Sequence, residues 1–119
     1  MAIQREISSA GFSGPASAAV AGSRSLTVTA AGGTTSTATA LTTAINIITT
    51  CALGADGVKL PIVEIGDTIA VANATSANLY VYPPTGGAFN GGTANVPYCM
   101  APNSQEDFIQ TSTAGNYSS

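Results

Sequence analysis

Histidine and tryptophan are absent from this 119-residue chain, and charge is scarce: three basic and six acidic residues make 8% charged positions and a net charge of −3. The basic side chains, Arg5, Arg24 and Lys59, are scattered. Three isolated cations do not neutralise a run of phosphates, which argues against nucleic acid as a partner. Without an imidazole, and with one lysine in a Val-Lys-Leu context, no base stands ready to activate a serine, threonine or cysteine nucleophile. Cysteine is limited to Cys51 and Cys99, outside any CxxC pair; both are expected to be buried small apolar groups rather than a disulfide or a metal site. No run of about 18 apolar residues is present to span a membrane. The opening Met1-Ala2-Ile3-Gln4-Arg5-Glu6 lacks the basic region and apolar stretch of a signal peptide. The chain is therefore expected to be made in the cytoplasm, soluble, with no membrane partner.

Bulky apolar side chains are few as well. Leu, Ile, Val and Phe total 24, close to the floor of about 20% below which chains resemble disordered ones. What fills the chain instead is small: 21 Ala, 16 Thr, 13 Gly and 12 Ser occupy 62 positions. Low net charge gives little self-repulsion, and the apolar residues recur in periodic clusters, so the chain is expected to fold. A chain this short buries only roughly 65 to 70% of its extended surface. Its core will be thin, which favours help from neighbouring subunits.

Three segments differ in pattern. Residues 1–25 hold Gly11, Gly14, Pro15 and Gly22 among many Ala and Ser, with Ile3, Ile7, Phe12 and Val20 as the larger apolar side chains. Such a segment does not offset its own ordering entropy, and it is expected to be an extended arm, a clamp ordered only where it lies against the domain or another subunit. A short helix at 16–21 is the competing reading, weakened by flanking glycines. Residues 26–112 read as a β-domain. Leu26 and Val28 alternate with Thr27 and Thr29, Ile45 and Ile47 with Asn46 and Ile48, Ile69 and Val71 with Ala70 and Ala72, and Leu79 and Val81 with Tyr80 and Tyr82. Turn signals stand at Gly32-Gly33, 54–57, Gly66-Asp67, Pro83-Pro84 and the glycine-rich stretch 86–92 with its Asn90-Gly91 pair. The strands 68–73 and 79–82 are expected to be hairpin-linked, and 96–101 with 107–111 to form a final pair. Residues 113–119 read as a polar tail. The expected fold is all-β, a small β-sandwich or barrel (jelly-roll-like or tulip-like) of about seven or eight short strands with the extended N-terminal arm.

General acid–base chemistry needs carboxylates that converge. The six available, Glu6, Asp56, Glu64, Asp67, Glu106 and Asp107, mostly sit beside turns. Glu64 and Asp67 could form a weak cation site, but the plainer reading is a solvated turn; Glu106-Asp107 reads as a solvated strand entry. The glycine-rich loop lacks the Gly-Lys-Ser/Thr ending and following helix of a phosphate cradle. Asn73-Ala74-Thr75 and Asn116-Tyr117-Ser118 match the glycosylation acceptor pattern, which has no consequence without a secretory signal. No catalytic residue, cofactor or metal is expected, and no enzymatic activity. What remains is surface, poor in charge at 8% against roughly 25% in ordinary domains, and suited to close contacts between subunits. The interface candidates are Ile3, Ile7 and Phe12 in the arm, Tyr80 and Tyr82 on one strand, and Phe89 in the glycine-rich loop.

The segments Gly57-Val58-Lys59-Leu60-Pro61, Ile65-Gly66-Asp67, Val71-Ala72-Asn73, Leu79-Tyr80-Val81-Tyr82-Pro83 and Gly86-Gly87-Ala88-Phe89-Asn90-Gly91 follow one another in this order. Over about residues 42–112 this succession resembles small structural proteins of tailed bacteriophages, which are usually head decoration (cement) proteins or domains of head and tail fibres. The resemblance implies a virion protein that binds the outer capsid surface, partnered by the major capsid protein, as a homotrimer that stabilises the head. The alternative it implies is a fibre or adhesion module that recognises a host glycan through Tyr80, Tyr82 or the loop 84–95. The motifs are strand-and-turn chemistry, so no binding residue is carried over from that family.

Overall fold

Hydrophobic alternation builds the strands. In Thr68–Asn73, Ile69 and Val71 fall on one face and are buried, while Ala70 and Ala72 stand half-exposed on the other. Leu79 and Val81 are wholly buried by the same logic in Leu79–Tyr82. The computed structural model describes residues 24–52 and 56–119, and within them every regular element is a strand. In chain order these are β1 (Arg24–Thr29), β2 (Thr39–Ala40), β3 (Ile45–Thr50), β4 (Gly57–Lys59), β5 (Thr68–Asn73), β6 (Leu79–Tyr82), β7 (Tyr98–Met100), β8 (Ser104–Gln110) and β9 (Tyr117–Ser118). They make a five-stranded sheet, β1-β3-β5-β8-β9, and a four-stranded sheet, β2-β4-β6-β7. Val28, Ile48, Val71 and Phe108 of the first meet Val58, Leu79, Val81 and Met100 of the second in one core, a β-sandwich.

The sandwich matches the sequence expectation; its wiring does not. Through β6, consecutive strands alternate between the sheets, so β1, β3 and β5 pair in parallel, and so do β2, β4 and β6. Parallel neighbours need a crossover, and here each crossover carries a strand of the opposite sheet, so the chain winds three times around one core. It then reverses: β7 runs antiparallel to β6, β8 to β5, and β9 to β8. The expected hairpin of β5 with β6 and the expected pairing of 96–101 with 107–111 are thus both replaced by partners in opposite sheets. Four of the seven ladders among the described residues are parallel and three antiparallel, so the sandwich is of mixed sheets rather than antiparallel throughout. Asn73 shows why the chain after β5 turns a corner rather than doubling back. Buried at 1% exposure, its amide donates to the carbonyls of Ala77 (2.9 Å) and Ala101 (3.0 Å), while its Oδ1 accepts from the Thr75 N–H (3.1 Å) and hydroxyl (2.7 Å). These bonds hold 74–77 as a bridge between sheets. They also leave Asn73 inaccessible as a glycosylation acceptor.

Other expectations shift for local reasons. Leu26 and Val28 do not share a face, because the β1–β3 ladder slips register between Ser25 and Val28; this bulge leaves Leu26 53% exposed and Val28 buried. β1 begins at Arg24, within the segment read as an arm. At the other end, 113–119 is no free tail: Tyr117 lies in β9, is 1% exposed and donates its hydroxyl to the Pro61 carbonyl at 2.6 Å. The arm residues Ile3, Ile7 and Phe12, the alternative helix at 16–21 and Gly54 and Ala55 of the turn at 54–57 lie outside the described residues.

Burial, with the Asp67 charge adding to it, pushes the Tyr117 phenol up to about 12. An unfolded tyrosine titrates near about 10, so between these values the folded chain holds the proton that the unfolded chain releases. The stability Tyr117 contributes is therefore complete below pH about 10 and is lost as pH rises toward about 12. Urea titrations across that window are expected to show a falling midpoint in the wild type and a smaller fall in Tyr117→Phe. Identical slopes would remove Tyr117 from the alkaline transition.

Candidate interaction surface

At the end of the five-stranded sheet where β1, β3 and β5 begin, two connections form the walls of a groove of about 820 Å³. Leu41, Thr42, Thr43 and Ala44, leading into β3, make one wall; Pro61, Ile62 and Val63 make the other; and Asp67, Thr68 and Ile69, at the start of β5, complete it. Both walls are pinned by buried amides. Asn46, 1% exposed, donates to the Thr43 carbonyl at 3.0 Å and accepts from the Thr43 hydroxyl at 2.8 Å. Gln110, also 1% exposed, accepts from the Val63 N–H at 2.7 Å and donates to the Ser112 carbonyl at 2.9 Å. A buried amide is retained only where its bonds are met, and here those bonds fix two loops. Neither residue was singled out from sequence; the signal was an Asn inside the apolar run Ile45-Asn46-Ile47-Ile48.

The groove's rim is more apolar than a free loop requires. Ile62 is 65% exposed and Ile65 61%. Ile65 stands at the tip of the turn 64–67, which closes through Asp67 N–H to the Glu64 carbonyl (3.0 Å) and Glu64 N–H to Asp67 Oδ2 (3.4 Å), with Gly66 taking the positive φ of 92°. Glu64 and Asp67 therefore shape a turn. Among the described residues no group of three or more His, Cys, Asp or Glu is placed to hold a metal ion. Glu106 and Asp107 diverge: Glu106 accepts from the Tyr98 hydroxyl at 2.9 Å, which raises the Tyr98 phenol, and Asp107 accepts from Gln105 at 2.6 Å.

Around the corner from the groove lies the outer face of the same sheet. Cross-strand rows align Arg24, Ile45, Ala70 and Asp107, then Ile47, Ala72 and Gln105, then Thr68, Ile109 and Ser118. Ile45 and Ile47 are half-exposed there, and Ile109 is 44% exposed.

The aromatic candidates are placed differently from expectation. Tyr82 is 5% exposed, and its hydroxyl donates to the Gly33 carbonyl at 2.8 Å. Its ring lies over Gly57, where a Cβ would come within 2.7 Å of both the ring and the Tyr80 carbonyl. Tyr82 is thus part of the chain's own packing, withdrawn from any interface. Phe89 is half-buried against the core, with its ring 5.3 Å from that of Phe108 and 6.0 Å from that of Tyr98. Tyr80 stays half-exposed on the outer face of the four-stranded sheet, opposite Cys99. Among the described residues the cysteines form no disulfide: Cys51 is half-buried, and Cys99 is exposed rather than buried, because alternation along β7 gives the inward position to Met100.

No protein-family model, no curated protein and no solved structure matches this chain.

Proposed function

We propose that the chain is a non-enzymatic assembly protein of a tailed-bacteriophage particle, a capsid decoration (cement) protein that binds the outer head surface as a homotrimer through the major capsid protein. The observation that carries this reading is the outer face of the five-stranded sheet. Parallel strands are ordinarily covered on both faces, yet the parallel strands β3 and β5 present Ile45, Ile47, Ala70 and Ala72 outward, with Ile109 beside them. Arg24, Asp107 and Gln105 edge this patch. An apolar surface edged by polar groups suits a protein contact. The segments that carry the resemblance to phage structural proteins act here in packing: Gly57 makes room for Tyr82, Asn73 ties the corner after β5, and Pro61 accepts the Tyr117 hydroxyl. A glycan-binding role for Tyr80 with Tyr82 lacks its aromatic pair, since Tyr82 is buried.

Sedimentation equilibrium at tens of micromolar is expected to give three times the 11.7 kDa chain mass. Ile47→Lys, on the outer face, is expected to give monomers with unchanged β circular dichroism and to bind heads assembled without this protein at least about tenfold more weakly, at least about 1.4 kcal/mol. A wild-type monomer that leaves such heads undecorated, or an Ile47→Lys protein that assembles and binds like wild type, overturns the reading.

A further inference from the structure

The groove between residues 41–44 and 61–69 has features that the outer sheet face does not share. Its lining is mainly apolar, with Leu41, Ala44, Pro61, Ile62, Val63 and Ile69. Its walls are held by the buried amides of Asn46 and Gln110 and by the Tyr117 hydroxyl, so it is a preformed recess rather than a gap between loose loops. Most telling is where the first 23 residues join the domain. Arg24 pairs with Ile45, and the Ser25 hydroxyl lies 3.1 Å from the hydroxyl of Thr43, itself a groove residue. Arg24, to which residues 1–23 are joined, therefore lies beside the groove.

We propose that this groove is the docking site for residues 1–23 of the same molecule, with Phe12 as the anchoring side chain. Phe12 is the largest apolar residue of that segment, which carries Ile3, Ile7 and Val20 besides and only Arg5 and Glu6 as charges. Eleven residues separate it from Arg24, a reach of up to about 40 Å when extended, so the groove is accessible without strain. A tether of this length holds the segment at an effective concentration on the order of millimolar, which favours the chain's own segment over that of a second copy. Strand addition along β1 is the competing use of the segment. The register shifts on either side of Val28 disfavour it, because a bulged edge makes a poor template. Docking in the groove leaves the outer sheet face free, so it stands independently of the capsid role.

The chain has no tryptophan, so Phe12→Trp in the full-length protein places a single reporter on the segment. Blue-shifted emission and weak acrylamide quenching are expected. Adding Ile62→Glu at the exposed rim should increase quenching several-fold while leaving the β circular dichroism unchanged. A photoreactive benzophenone amino acid at position 12, in a mixture of isotopically light and heavy chains, identifies the groove that is filled. Same-isotope cross-links to 41–44 or 61–69 support the proposal. Mixed-isotope cross-links, which would mean that a second copy fills the groove, overturn it, and so does a solvent-exposed tryptophan without cross-links to those residues. None of these readouts involves a capsid, so failure here is distinct from failure of the decoration reading.

Discussion

Tyr82→Ala is expected to destabilise the chain itself by about 3 to 5 kcal/mol, a large share of the total of about 5 to 15 kcal/mol that holds a domain of this kind together. Read from sequence, Tyr82 is an assembly residue whose loss should spare the fold. Its place in the structure reverses that, because the ring fills the space above Gly57 and the hydroxyl reaches the Gly33 carbonyl across 49 positions of sequence. Tyr82→Phe keeps the ring and loses one hydrogen bond, so its cost should be about 0.5 to 1.5 kcal/mol. Denaturant titration of the two variants gives the ordering. An unchanged midpoint for Tyr82→Ala would mean that the ring does not pack as described. Tyr80→Ala, on the half-exposed neighbour, should cost less than Tyr82→Ala.

Phe108→Ala should have an effect of similar or greater size. Phe108 is fully buried in β8, with its ring centroid 5.3 Å from both Phe89 and Tyr98, and Phe89 in turn lies 6.4 Å from Tyr117. Four aromatic rings thus close the region where the chain reverses into β7, β8 and β9. Removing the fully buried Phe108 ring leaves a cavity, about 3 to 5 kcal/mol, and breaks two ring contacts worth about 0.5 to 1.5 kcal/mol each beyond their buried area. The midpoint should fall with little change in the denaturant slope. Phe108→Leu, which keeps most of the volume, should recover much of the loss. If Phe108→Ala is as stable as wild type, the aromatic cluster is not the clasp of the C-terminal half.

Period-two alternation determined a good deal by itself. The inward placement of Leu79 and Val81, of Ile69 and Val71, and of Ile48 follows from side chains projecting to opposite faces of a strand. Turn chemistry did as well: Gly66 takes positive φ at the tip of 64–67, and Asn90 and Gly91 turn the loop, with Gly92 N–H donating to the Phe89 carbonyl at 2.8 Å. Alternation has no term for partners, however. The same pattern serves a hairpin and a parallel ladder; β5 and β6 lie in opposite sheets, joined by a corner that the bonds of Asn73 hold. Likewise, one inserted residue in β1 turned Leu26 outward, because a slip of one position exchanges the faces of a strand. Tyr117, in a polar stretch, and Tyr82, opposite two core residues, entered the core through hydroxyl acceptors on Pro61 and Gly33. The groove is likewise a product of tertiary structure: Asn46 holds one wall through Thr43, three positions back, but the other wall is fixed by the Gln110 bond to the Val63 N–H across 47 positions, which depends on how the chain winds.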